Sequence, residues 1–309
     1  MIPEKPTVVV LLSTYNGAKF VVEQVKSILA QTGVNVLLRI RDDGSKDDTI
    51  SLLSQFADLE NVVITQGKNV GWKKSFTHLM ATAPFIKGAY YAFSDQDDLW
   101  HEEKLMAAVD MLAKQAGPAV YHGNVAIMDG DLNFLGNRFG ADFHPTAHFP
   151  ESFLDGFGVG ATMVFNAEIL ALVQQYEPKQ ATNHDALVMA LGNMFGTVVY
   201  DPDAHISYRR HAGTATGFGG DASAIKPTLM DRYRRYQRGP KHQFSIRAQE
   251  LLAGYEPQMS SAQRKVLNDI ANYQTNLAAK LRLIFDPRFK ATGARKTLQI
   301  KYRVLCNTL

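Results

Sequence analysis

The segment Tyr90-Tyr91-Ala92-Phe93-Ser94-Asp95-Gln96-Asp97-Asp98-Leu99-Trp100 changes character halfway along. Its first half, with tyrosines, Ala92 and Phe93, suits a buried strand. Its second half places three carboxylates within four residues at the end of that strand. Concentrating negative charge there costs free energy unless a cation neutralises it. Hard oxygen ligands on a short loop suit Mg²⁺ or Mn²⁺, particularly where substrate phosphates complete the shell. A solvated acidic turn leading into a helix near Glu102-Glu103-Lys104 is the alternative reading of the same residues.

Upstream, short β-branched runs alternate with amphipathic stretches. Thr7–Leu12 reads as a fully buried strand, followed by the loop Ser13-Thr14-Tyr15-Asn16-Gly17. Between Phe20 and Ala30, Val21, Val22, Val25, Ile28 and Leu29 recur at helical spacing. Val36–Arg41 is the next strand and Asp42-Asp43-Gly44-Ser45 closes it; a helix through Thr49–Leu53 and a third strand at Asn61–Thr65 follow. A helix around Lys74–Ala81 then leads to the strand at Tyr90–Phe93. Strand–helix–strand units of this length argue for a parallel sheet with helices on both faces. In such sheets ligands bind beyond the carboxyl ends of the strands. Ser13–Gly17, Asp42–Ser45, Asn69–Gly71 and Asp95–Asp98 all fall there.

Downstream the pattern loosens. Ala119–Tyr121 and Thr197–Tyr200 read as strands, and the glycine-rich Gly156–Phe165 suggests backbone passing close to a ligand. Thr214–Ala224 is the expected mobile loop and boundary, dividing the chain into 1–224 and a basic, mainly helical 225–309. Helices are expected over Met230–Arg238, Ser245–Ala253, Ser260–Ile284 and Lys296–Leu305.

The chain has 309 residues, 46% hydrophobic and 20% charged, which fits an ordinary globular protein with a substantial core. A single cysteine, Cys306, excludes an internal disulfide framework and a cysteine zinc cluster, and fits a reducing compartment. With no signal-peptide pattern and no apolar run of spanning length, the expected location is the cytoplasm, or the inner face of the cell membrane. The net charge of +3 hides an asymmetry: Ile225–Leu309 carries 17 Lys+Arg against 5 Asp+Glu, while the rest carries 16 against 25. Opposite polarity points to different tasks for the two parts.

Ser13-Thr14-Tyr15-Asn16, Arg41-Asp42-Asp43-Gly44-Ser45, Asn69-Val70-Gly71, Ser94-Asp95-Gln96-Asp97-Asp98 and His184-Asp185 appear in the order of a family 2 glycosyltransferase, which the chain resembles over roughly Thr7–Gly217. The Ser-Asp-Gln-Asp-Asp-Leu-Trp form and Tyr208-Arg209-Arg210-His211 are most similar to bacterial rhamnosyltransferases of polysaccharide assembly. The resemblance implies the GT-A fold, a Rossmann-like, mostly parallel sheet with helices on both faces, here with a C-terminal helical extension. It implies an inverting transfer from a nucleoside-diphosphate sugar to a hydroxyl of a growing, lipid-linked glycan. The leading donor is dTDP-rhamnose, with UDP sugars as the alternative.

Residue roles follow from the same resemblance. Thr14, Tyr15 and Asn16 would line the base and ribose, and of Asp42 and Asp43 one would turn the chain while Asp43 accepts the base N–H. Asn69 and Gly71 would line the sugar-nucleotide pocket, with Lys73 near the diphosphate. Asp97 would hold Mg²⁺ or Mn²⁺ directly, Asp95 would contact the ribose or the metal through water, and His211 would add a ligand. Asp98 would orient metal-bound water or cap the following helix. Arg209 and Arg210 would contact phosphate, unless one pairs with a carboxylate and holds the loop. Asp185 matches the general base; an aspartate of ordinary pKa is ionised at neutral pH and available for that role. Gly160 would lie on the acceptor side, Trp100 would serve there as a platform or pack in the core, and His184 would be structural or line the acceptor. Gly213, Gly217, Gly219 and Gly220 would let the segment after His211 close over the donor.

The C-terminal helices set basic residues beside apolar ones, as in helices that lie on anionic lipid; a solvated face or an oligomer contact are the alternatives. Nucleic acid fits poorly because the motif-bearing part is acidic. No Gly-x-Gly-x-x-Gly or Gly-x-x-x-x-Gly-Lys-Ser/Thr follows the first strand, which excludes the usual dinucleotide and phosphate-loop enzymes. An inactive sugar-nucleotide-binding or scaffold protein remains the reading of another class.

Overall fold

The computed structural model describes residues 4–146, 148–156, 158–180, 182–211 and 241–309. The first half follows the alternation read above. β1 (Thr7–Thr14), β2 (Asn35–Asp42), β3 (Val62–Gln66) and β4 (Tyr90–Ser94) pair in parallel in the order β3-β2-β1-β4. Between them run α1 (Val21–Leu29), α2 (Thr49–Leu53) and α3 (Trp72–Thr82). Val8 to Leu12 are fully buried, as a central strand covered on both faces requires. Chain order reverses direction between β1 and β4, and the crevice at such a switch point is where open sheets take ligands.

The second half is not parallel throughout. β5 (Leu99–Trp100) and α4 (Lys104–Leu112) follow the acidic loop, then β6 (Ala119–Met128), β7 (Phe134–Asn137), α5 (Glu151–Asp155) and β8 (Val164–Asn166). β8 runs antiparallel between β4 and β6, so the sheet is mixed and the parallel expectation holds for the β3–β4 half. α6 (Ala167–Gln175) and α7 (His184–Phe195) lead to the 13-residue β9 (Thr197–Arg209), which pairs in parallel with β6. β5 pairs with the far end of β9, Leu99 opposite Ser207. That short ladder brings the acidic loop beside Arg209 and His211.

The C-terminal helices are α8 (Gln243–Tyr255), α9 (Ser261–Asn272), α10 (Leu277–Phe285) and α11 (Ala294–Leu305). The helix expected over Ser260–Ile284 is interrupted because Asn276 caps a new one, its Oδ1 accepting from the Ala279 N–H at 3.0 Å. Leu251, Tyr255, Leu267, Ile270, Leu283 and Val304 join the same apolar cluster as Tyr91 and Phe93 of β4. The helices therefore complete the core of the sheet. The expected boundary at 224/225, the helix at Met230–Arg238 and the glycine-rich loop lie outside the described residues. On their outer sides α10 exposes Leu277, Leu281 and Phe285, and α11 exposes Leu298, Tyr302 and Leu305. No described helix is long and apolar enough to cross a membrane.

Candidate active site

The loops after β1 and β4 meet across the switch point. The Tyr15 N–H donates to Gln96 Oε1 at 2.8 Å and Gln96 Nε2 donates back to the Tyr15 carbonyl at 3.1 Å. Tyr15 itself stays 41% exposed, free to offer a ring face. Asn16, in the left-handed region at φ 47°, takes Ser45 Oγ through its N–H and the Lys46 N–H through its Oδ1. Gln96 and Asn16 thus fasten the first loop to the two that follow β4 and β2.

Asp42 turns the chain as expected: it accepts from the Gly44 and Ser45 N–H groups, Ser45 Oγ and Thr14 Oγ1. Asp43 is buried and its carboxylate already has partners, the Arg41 guanidinium at 2.6 Å and the Val70 and Gly71 N–H groups. Its position is the predicted one, but its lone pairs hold the Asn69–Gly71 turn instead of projecting into open space. Gly71, at φ 83°, starts α3 from a conformation that side chains rarely adopt. Lys73 lies half-buried over the Trp72 ring, 5.5 Å from its centroid.

The acidic loop divides by depth. Asp98 is buried with one oxygen unpartnered among the described residues, and burial, then Asp97 and Asp95, hold its pKa well above the usual carboxylate range. Lys104, beneath it and 3.5 Å from the Trp100 ring centroid, is lowered to about 7 by burial, which Asp98 partly opposes. Asp98 therefore backs the loop from inside. Trp100, 3% exposed, faces the core; with the Gln24 amide turned to satisfy both its ends, the indole N–H donates to it at 3.1 Å. The acceptor-side role expected of Trp100 is ruled out by that burial.

Asp95 and Asp97 face the crevice. Asp95 is raised to about 7 by desolvation, then by the charges of Asp97 and of Asp185. The later aspartate is thus close enough to the acidic loop for its charge to act on Asp95. Asp97 Oδ2 lies 2.7 Å from His211 Nε2. The two groups hydrogen-bond to each other here, and their oxygen and nitrogen are near enough that both would hold a single divalent ion. No group of three or more His, Cys, Asp and Glu side chains able to hold a metal occurs among the described residues. An O and N pair beside under-compensated carboxylates fits Mg²⁺ or Mn²⁺ whose remaining positions go to phosphate and water.

The two arginines separate. Arg209 is buried and committed: Nε donates to the Asp97 carbonyl at 3.1 Å, Nη1 to the Gly130 carbonyl at 3.1 Å, and Nη2 pairs with Glu23. It holds the acidic loop and is not open to phosphate, a correction to the donor-contact role. Arg210 lies with Arg138 and Tyr208 around a small recess.

Asp185 opens α7, and its neighbour fixes where that helix begins. His184 is buried, stacked on Phe76 at 3.8 Å and edge-on to Phe93 at 4.5 Å. Burial lowers its pKa to about 4, with Asp185 opposing. It is a packing residue. Gly160 is needed because a Cβ there would lie 2.8 Å from His184 Nε2 and 3.4 Å from the Asp185 Cβ. Gln96, Glu23 and Arg41, which tie these loops together, were missed by sequence reasoning. Apart from Asp43, two residues from Arg41, the partners that tie the loops are 27 to 186 residues away, and no local pattern announces them.

The sequence model of glycosyl transferase family 2 matches residues 9–172. The dTDP-rhamnosyl transferase RfbG of Shigella flexneri is 34% identical over 105 residues, 33% of this chain and 36% of that protein. WfgD of Escherichia coli, a UDP-Glc:alpha-D-GlcNAc-diphosphoundecaprenol beta-1,3-glucosyltransferase, is 26% identical over 130 residues, 42% of this chain and 47% of that protein. The matched part thus spans between about a third and a half of these relatives' length. In fold, residues 1–349 of S. aureus TarS in complex with UDP-GlcNAc align over 97% of this chain and 81% of that one, with TM-score 0.55 and 16% identity. The mannosyltransferase PcManGT from Pyrobaculum calidifontis, in complex with GDP-Man and Mn²⁺, aligns over 99% and 81%, with TM-score 0.51 and 15% identity. A family match over more than half the chain, on a sheet of this topology, makes this a GT-A-fold member of glycosyl transferase family 2.

Proposed function

We propose that the protein is an inverting glycosyltransferase that moves a sugar, L-rhamnose from dTDP-rhamnose as the leading donor, to a hydroxyl of a lipid-linked cell-surface glycan. The observation that carries this reading is the Asp97–His211 pair on the acidic loop at the switch point, with Asp185 near enough for its charge to act on Asp95. In it Asp185 removes the acceptor proton as that oxygen bonds to the anomeric carbon. The bond to the diphosphate breaks in the same displacement, and its electron pair leaves with the nucleotide. One base and no nucleophile give inversion. Asp97 and His211 would hold a divalent ion, with Asp95 beside them; that ion supplies charge neutralisation for the diphosphate. Asp185 and His211 lie beyond the stretch matched by the family, so their roles rest on geometry and resemblance. Tyr15, Asn16, Asn69, Gly71 and Lys73 line the nucleotide-sugar side in this reading, with Arg210 toward phosphate; Thr14, buried with its hydroxyl on Asp42, backs the loop instead of meeting the base.

UDP-glucose is the second donor, favoured by the name of the Escherichia coli relative. The exposed apolar stripes of α10 and α11 beside eight basic residues and one acidic residue in 277–309 support attachment to an anionic membrane surface. The test is hydrolysis of nucleotide sugars by wild type, Asp97→Ala and Asp185→Asn with and without Mg²⁺ or Mn²⁺. Loss of about 100-fold or more of metal-dependent turnover in each variant is expected, in the range of single catalytic groups. Wild type without turnover on any donor would favour the inactive binding protein.

A further inference from the structure

Asp185 also lines a second opening, a cavity of about 120 Å³ enclosed by α5, α7 and the first turns of α8. Of the residues placed around the donor, it alone reaches this cavity. The other polar groups there are Ser152, Asn183, Asn193 and Arg247. Two of them lack the partners that buried polar groups normally have. Both amide atoms of Asn193 and the Ser152 hydroxyl are shielded from solvent without a hydrogen bond among the described residues. Arg247 makes no ion pair or hydrogen bond with a described residue. Its guanidinium sits 5.5 Å from the ring centroids of Phe153 and Phe244, within electrostatic reach of Asp185.

We propose that this cavity is the acceptor subsite and that it takes the hydroxyl edge of a neutral sugar ring, with Asn193 and Arg247 as specificity-determining residues. The proposal rests on Asp185 being the base. One carboxylate and one guanidinium leave the charged lining balanced, so an anionic group gains little from Arg247 before meeting Asp185. A small rotation of the Asn193 amide toward the cavity would offer its unpaired ends to a vicinal diol, which donates with one hydroxyl and accepts with the other. The guanidinium fork reads adjacent oxygens in the same way. At about 10–15 Å³ of this kind of volume per water, the cavity has room for several waters, enough to admit the edge of a sugar ring. Gly156, which turns at φ 58°, and Gly158 also line the cavity, and a Cβ on Gly158 would lie 2.3 Å from the Met163 Cε. Arg247 comes from α8, so the C-terminal helices take part in choosing the acceptor.

The test uses the full chain saturated with dTDP or UDP and Mg²⁺, probed by saturation-transfer NMR. The probes are methyl α-L-rhamnoside, methyl α-D-glucoside, the methyl glycoside of N-acetylglucosamine, and α-D-glucose 1-phosphate. At least one neutral glycoside should bind wild type, and binding should weaken tenfold or more in Arg247→Met and Asn193→Leu. Arg247→Lys and Ser152→Ala, the gentler changes, should weaken it less while keeping the melting temperature. Nucleotide-induced thermal shifts should be the same in every variant. Wild type that binds none of the glycosides, variants that bind them unchanged, or a preference for the sugar phosphate would overturn the assignment. Failure of both nucleotides to shift the melting temperature would instead remove the donor reading beneath it.

Discussion

At the scale of single residues the site depends on contacts too close to tolerate one added atom. A methyl group at position 160 would press on His184 Nε2 and the Asp185 Cβ, and His184 cannot yield because it is stacked on Phe76. Gly160→Ala should therefore move the start of α7 and cost about 100-fold in turnover, the penalty of a displacement near 1 Å. Its melting temperature should fall too, since overpacking of this kind costs about 1–3 kcal/mol; a variant with full activity would show that Asp185 is not held through this contact. His122 and His184 give the fold a pH limit. Burial lowers both to about 4, against 6.5 for a free imidazole, so the unfolded chain binds protons that the folded one refuses. The stability they leave intact is complete above pH 6.5 and falls as pH drops toward 4. Between pH 7.5 and 5 the loss should be about 2 kcal/mol per histidine. Urea unfolding at the two pH values checks this, with His122→Leu expected to lose less than wild type.

At the scale of elements, buried pairs decide whether loops stay where the strands deliver them. Asp43 anchors the turn that starts α3 through Arg41 and two backbone N–H groups. Removing one partner of such a pair leaves an uncompensated charge, so Asp43→Ala should cost about 3–5 kcal/mol in urea unfolding. Nucleotide binding should weaken with it. The sequence showed β1 to β4 and the helices between them, because strict apolar runs and helical spacing mark each one. It also showed which loops share a rim, and left open whether both arginines of the Tyr208–His211 segment meet phosphate or one holds a carboxylate, as Arg209 does. It did not show β8 reversing the sheet, since three residues carry no period. Nor did it separate Asp42, Asp43, Asp95, Asp97 and Asp98 by depth. Adjacent carboxylates look alike until the fold buries some and opens others. Trp100 was ambiguous for the same reason: an aromatic after a polar loop suits a platform or a core equally well.

At the scale of the molecule, the basic C-terminal region has two faces. Ala279, Leu283, Ile300 and Val304 pack inward, while Leu277, Leu281, Phe285, Leu298, Tyr302 and Leu305 stand out on the opposite sides of the same helices. Flotation with vesicles containing anionic lipid should carry the protein upward at low salt and less at high salt. Leu281→Gln combined with Phe285→Gln should reduce flotation at least tenfold, in line with the apolar area withdrawn. If the double variant floats as wild type does, those stripes serve another purpose.

The paired hydrogen bonds between the Tyr15 main chain and the Gln96 side chain make two separate ligand platforms into one mechanical unit. Ordering either strand end pre-pays part of the entropy of ordering the other. Thermodynamic reciprocity then requires that a nucleotide tighten the hold on its counter-ion by the same factor by which that ion tightens the hold on the nucleotide. A single glutamine amide would set how strongly the two ligands favour arriving together.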